Sequence, residues 1–187
     1  MSMRPGLIEF GRIIFKKADH VNKGTYVLFI EIMKNIDVVI GKQNKGHPLK
    51  FPEGRYLYVG SATGTTSTSL SQRLARHCIR RIGAPQPVLK DLAEVIGKLG
   101  FPFRIPRSKS LRWHVDYLLE DTRVTLTNIF FEMSQRGNER EWVDLLWNSD
   151  HVVPFGKGFG GSDDKGRTHL FQMKEQTNMK KLLDEFR

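Results

Sequence analysis

The chain has 187 residues, enough for one domain with its own core or one domain plus an appendage. Hydrophobic residues at 39% and charged residues at 27% exclude a disordered or collagen-like chain. A formal net charge of +10 favours a polyanionic partner, nucleic acid ahead of an anionic membrane surface. The single cysteine, Cys78, excludes an internal disulfide and predicts a reducing, cytoplasmic setting, with the thiol buried as a small apolar group. No stretch approaches the length of a membrane span. The opening "MSMRPGLIEFGRIIFKKADH" lacks the apolar core and small-residue cleavage site of a secretory leader.

In chain order, residues 1–23 read as an N-terminal extension. "GTYVLFIEIM", 24–33, is rich in β-branched and aromatic residues and predicts a strand. "IDVVIG", 36–41, follows a two-residue break and predicts its hairpin partner, and 42–54 reads as a loop. "RYLYVGSA", 55–62, is the next strand. Ser67 or Ser69 is placed to cap a helix starting near Leu70, in which Leu70, Leu74, Cys78 and Ile82 form an apolar stripe. "GAPQP" stops it; 88–100 predicts a short amphipathic helix, and 101–110 a loop carrying Arg104, Arg107 and Lys109. A helix over 111–121, a strand over 123–133, a helix over 138–148, a proline-limited edge strand in "HVVPF" and an amphipathic tail over 174–187 complete the series. The order implies an α+β fold, a small mainly antiparallel sheet flanked by helices.

The polar face of the helix after residue 70 is almost wholly cationic: Arg73, Arg76, His77 and Arg80, followed by Arg81. Arg73 and His77 stand four apart, on one face. Arg76, Arg80 and Arg81, with Arg104, Arg107 and Lys109, are candidates for phosphate contact; the bland alternative is a solvated face. His114 and Asp116, two apart, fall on different sides of their helix, so one can face a site while the other caps or pairs with an arginine. Gly156, Gly158 and Gly161 spell Gly-x-Gly-x-x-Gly. Without a buried strand before it or a helix after it, this reads as a loop lying flat near a groove and not as a dinucleotide site.

Taken together, Gly24-Thr25-Tyr26, Tyr58-Val59-Gly60 and "SLSQRLARH" resemble the GIY-YIG nuclease superfamily, in which two short strands bear Gly-x-Tyr and Tyr-x-Gly and a helix follows with an arginine and, one turn later, a histidine or tyrosine. Gly60 precedes Arg73 by thirteen residues, longer than is usual there, so the turn carries a small insertion, "TGTTSTS". "FPEGRYLYVGSA", "RWHVDYLL" and "GFGGSDDKGRTHLF" look like three blocks of a poorly characterised branch found alone or fused to endonuclease III in archaea. That branch often has cysteines in the third block, where this chain has Asp164. The resemblance covers 24–173 as a nuclease-like domain, leaving 174–187 as a helical tail.

The resemblance implies metal-dependent cleavage of phosphodiester bonds, in DNA ahead of RNA. Tyr26 would position or activate water, Tyr58 and His77 would assist, and Arg73 would stabilise the phosphate. A glutamate on the helix after the last superfamily strand would hold one magnesium or manganese ion; Glu139 matches, with Glu141 the alternative. His114, Asp116, Asp163 and His169 are further candidates. The alternatives are a nucleic-acid-binding module without turnover and, from the fused relatives, an accessory to a DNA repair glycosylase.

Overall fold

The computed structural model describes residues 7–160 and 166–186. Nine strands and five α-helices are present among them. The strands are β1 (Leu7–Phe10), β2 (Ile13–Lys17), β3 (Gly24–Ile32), β4 (Ile36–Val38), β5 (Leu49–Phe51), β6 (Gly54–Ala62), β7 (Val124–Met133), β8 (Val152–Pro154) and β9 (Leu170–Met173). The helices are α1 (Leu70–His77), α2 (Leu89–Lys98), α3 (His114–Leu118), α4 (Glu139–Trp147) and α5 (Met179–Glu185).

The class is α+β, but the sheet is not small: seven strands run in the order β1-β2-β7-β3-β6-β9-β8. All neighbours pair antiparallel except β2 with β7. β3 is central, and eight of its nine residues are buried, Glu31 being the exception. Both its faces are covered, which is why "GTYVLFIEI" reads as a continuous apolar run instead of an alternating one. Tyr26, Leu28 and Ile30 lie in one core with Leu70 and Leu74 of α1, Cys78 just after it, Leu92 of α2 and Val115 of α3. Val27 and Phe29 lie in the other, with Trp142, Val143 and Leu146 of α4 and Leu182 and Leu183 of α5.

Four sequence expectations change. Residues 36–41 do not pair with β3; β4 pairs with β5, within the predicted loop, in a separate two-stranded sheet. The reason is competition: β6 and β7 give β3 full-length ladders on both edges, and a three-residue strand does not match that. Residues 7–17, read as part of an extension, supply β1 and β2, and β2 joins the main sheet through β7. β9 was not foreseen; it carries the short edge strand β8 and is itself held by β6. α1 ends at His77, so Ile82 leaves the predicted stripe and is 84% exposed.

On the second face, Trp142 stacks on Phe130 at a ring separation of 5.1 Å, and Phe186 packs on Trp142 at 4.8 Å. This cluster ties α4 and the segment closing α5 to the sheet. Trp142→Ala should lower the unfolding free energy by about 3–5 kcal/mol in a urea titration; a loss below about 1 kcal/mol would mean the cluster does not carry that face.

Candidate active site

The site forms where β3 begins and β6 ends. Gly24 has φ +152° and lies so close to β7 that a Cβ there would sit 1.8 Å from the Glu132 carbonyl oxygen. Across the ladder, Tyr26 is paired with Gly60. A Cβ on Gly60 would lie 2.5 Å from the Tyr26 hydroxyl oxygen, so the phenol occupies the space that glycine leaves open. The Gly-x-Tyr and Tyr-x-Gly pattern thus has a local cause: close strands on one side, a tyrosine ring laid over a glycine on the other.

α1 is fixed at its N-terminus by a residue far upstream. The Leu70 N–H donates to the Asn22 carbonyl at 3.0 Å and the Ser71 N–H to Asn22 Oδ1 at 2.9 Å. The Asn22 amide in turn donates to Ser71 Oγ at 2.9 Å. Neither Ser67 nor Ser69 caps the helix with its side chain; the Ser69 hydroxyl donates to the Thr66 carbonyl. Leu70 and Leu74 pack inward, and Arg73 and His77 are carried to the strand ends.

His77 has no exposed surface and sits between two partners: Nε2 is 2.9 Å from the Tyr26 hydroxyl, and Nδ1 is 3.2 Å from Asp116 Oδ1. Asp116 is also fully buried. Its Oδ2 accepts from the backbone N–H groups of Arg112 and Trp113, both at 3.2 Å, and from the Arg76 guanidinium at 3.4 Å. Burial alone would raise the Asp116 carboxyl, but His77, Lys109 and the Trp113 N–H outweigh it and hold it well below the carboxylate range. Burial lowers His77, against the pull of Asp116. The consistent proton arrangement is a neutral imidazole with Nδ1–H donating to Asp116 and Nε2 accepting from Tyr26. Burial first, then Tyr58, Glu139 and Asp116, push the Tyr26 phenol far above its ordinary value, against Arg73. At neutral pH Tyr26 is therefore a hydrogen-bonded phenol with a ready acceptor for its proton.

On the α4 side, Glu139 accepts from the Ser61 hydroxyl, and its Oε1 lies 3.0 Å from His169 Nδ1. Burial would raise its carboxyl, but His169, Ser61 and the Arg73 charge keep it lowered and ionised. Glu141 is exposed, so the structure brings Glu139 and not Glu141 to the site. Arg73 donates to the Ser61 carbonyl, its guanidinium carbon lies 4.1 Å from the centre of the Trp113 ring, and its buried Nε finds no acceptor among the described residues. Tyr58 is buried against Phe159, its phenol raised by burial and by Glu139. His114 accepts from the Gly160 N–H at 2.9 Å, pinning the glycine loop beside Tyr58. Asp163, with Gly161, lies outside the described residues. Among the described residues no three His, Cys, Asp or Glu side chains gather to hold an ion. A lone Glu139 does not build an all-protein metal cage. A single ionised carboxylate does fit a magnesium-sized ion that takes its remaining ligands from outside the protein.

The basic candidates divide. Arg80 donates to the carbonyls of Leu119 (3.1 Å), Ala84 (2.7 Å) and Val124 (2.7 Å), so it braces the fold rather than facing a ligand. Lys109 is buried and paired with Glu120 at 3.0 Å, and Arg81 pairs with the same carboxylate at 3.3 Å. Arg76 is held by Asp116 and the Ser110 carbonyl. Carbonyls and acids from the α3 region thus hold Arg76, Arg80, Arg81 and Lys109, four of the six candidates for phosphate contact. Arg104 and Arg107 stay exposed. Sequence reading missed Asn22 and Ser61, since neither a distal cap nor a carboxylate-orienting serine has a local signature.

Gly60→Ala should force the Tyr26 ring off His77 and destabilise the chain by about 1–3 kcal/mol, read by urea unfolding; an unchanged midpoint would refute the packing account. Arg80→Ala should lower stability by about 1–3 kcal/mol through unpaired carbonyls, read by the same urea titration. Because the folded-state value of His77 lies below its unfolded value, its neutral burial stabilises the fold above about pH 6.5. That contribution is lost as the pH falls from there, and His77→Gln should flatten this part of the stability profile.

No curated protein and no solved structure matches the chain. One family model, described as "Domain of unknown function DUF123", matches residues 25–187, a span containing Tyr26, Tyr58, Arg73, His77, Asp116, Glu139 and His169. With the match running from β3 through α5, the chain belongs to the DUF123 family.

Proposed function

We propose that this protein is a GIY-YIG-type endonuclease that hydrolyses phosphodiester bonds, with DNA the favoured substrate. The observation that carries the reading is the buried Tyr26–His77–Asp116 hydrogen-bond chain, electrostatically coupled to Arg73 and Glu139. A water oxygen bonds to the phosphorus as the bond from phosphorus to the leaving ester oxygen breaks. Tyr26 takes the water proton as its own proton passes to His77 Nε2, and ionised Asp116 stabilises the imidazolium that forms. This relay removes the need for a standing phenolate, which the raised Tyr26 phenol would not supply. Arg73, whose buried Nε has no acceptor among the described residues, would turn its guanidinium to the phosphate oxygens as their charge grows. Glu139, oriented by Ser61 and His169, would hold magnesium or manganese, which when bound supplies positive charge to the leaving oxygen.

One observation favours a second reading, a nucleic-acid-binding module without turnover: Tyr26 is only 1% exposed, so water must be admitted to it. Assays on branched, damaged and single-stranded DNA and on RNA, with magnesium present, separate the two. Tyr26→Phe, Arg73→Ala and Glu139→Ala should each lower kcat by about 100- to 1000-fold, while Glu141→Ala should not. Activity should hold through about pH 6.5 and fall only at lower pH, because burial lowers the His77 imidazole below its ordinary value. Parental cutting by Arg73→Ala and Glu139→Ala would refute the mechanism, and salt-sensitive binding without cleavage would establish the second reading.

A further inference from the structure

The site has a second basic flank, on the α4 side, that the cationic helix does not reveal. Lys23, Arg136 and Arg140 come from two chain segments that meet at the strand ends. The Ser134 N–H donates to the Lys23 carbonyl at 3.1 Å, and the Asn138 N–H donates to Thr25 Oγ1 at 2.6 Å. A Cβ on Gly137 would lie 3.2 Å from Ser61 Cβ and 3.3 Å from Thr63 Cγ2, so this turn presses against the end of β6. Arg140 directly follows Glu139 on α4. Arg136 and Arg140 are exposed and Lys23 half-buried, and none has an ion pair among the described residues. The nearby acids are largely engaged. Glu132 pairs with Lys16 at 3.3 Å and accepts from Asn138, Asp19 accepts from the Gln135 N–H, and Asp144 pairs with Arg167. Glu141, next to Arg140 on α4, is exposed.

The opposite flank is the loop over 101–113, which contains no acidic residue. Lys109–Glu120, Ser71 to the Pro102 carbonyl and Arg76 to the Ser110 carbonyl pin it, and Arg104, Arg107 and Arg112 remain exposed. Arg73 lies against Trp113 at the end of this loop, and Glu139 directly precedes Arg140, so the site touches both segments. We propose that Lys23, Arg136 and Arg140 form a phosphate-binding flank that holds the nucleic-acid backbone on the far side of the site from the 101–113 loop, so that one strand is gripped on both sides of the phosphate facing Arg73. The inference rests on the nucleic-acid reading of the site but not on turnover. Unpaired cations in line with a site that accepts a phosphodiester add sequence-independent affinity through counterion release.

The test is equilibrium binding of fluorescent DNA and RNA of one sequence, single- and double-stranded, over a salt series in EDTA. For the preferred nucleic acid, Arg136→Ala/Arg140→Ala should reduce the slope of log affinity against log salt by about two. Lys180→Ala/Lys181→Ala, the same charge change on α5, should leave it unaltered. With magnesium, the arginine double variant should raise KM and keep kcat within about threefold of the parent, as loss of uniform binding does. An unaltered slope in the arginine variant overturns the flank even if the parent cuts; failure of the parent to bind any of the four nucleic acids overturns both. A reduced slope in a parent that cuts nothing supports the flank and removes the nuclease.

Discussion

A carboxylate without exposed surface is tolerable only when donors surround it. Asp116 meets that requirement with His77 on one oxygen, and with Arg76 and two backbone N–H groups on the other. Each donor belongs to a different part of the problem. The two N–H groups start α3, Arg76 and His77 attach α3 to α1, and His77 carries the charge's influence on to Tyr26. Loss of the Asp116 charge would leave His77 free to change tautomer and Arg76 without its partner. A strand, two helices and the preceding loop therefore share one buried ion as their common reference point.

The sheet supplies the rest of the convergence. β3 begins where β6 ends, which places a tyrosine over a glycine on one face and Ser61 beside α4 on the other. A site assembled at strand ends can draw on both helical layers at once. Tyr26 reaches α1 on the first face, and Ser61 and His169 meet Glu139 of α4 on the second. The wide sheet, with β9 attached to β6, brings the glycine loop and His114 against Tyr58. A separation of thirteen positions from Gly60 to Arg73 is accommodated because Asn22, not a local serine, fixes where the helix begins.

Much of the framework was legible because its signals are local. β3, β6, β7, α2 and α4 follow from apolar run and period, and Arg73 and His77 share a helix face by spacing alone. What was not legible depends on partners distant in sequence. β1, β2 and β9 are short strands whose ordering comes from the ladders they join. Arg80, Arg81 and Lys109 look like free cations in sequence because the Leu119 and Val124 carbonyls and Glu120 that bind them come from the far side of a loop. Asp116 and His114 were separable only to the extent that helical spacing divides them. That the acid, not the imidazole, meets His77 is a tertiary fact.

The central claim is a directional proton arrangement: Tyr26 donates to His77 Nε2, and His77 Nδ1–H donates to ionised Asp116. Nitrogen-15 NMR of the histidine ring, assigned by comparison with His77→Gln, reads this directly. The account predicts a neutral His77 protonated on Nδ1 at pH 7, with that signature lost in Asp116→Ala. A His77 ring protonated on Nε2, or on both nitrogens at that pH, would contradict it.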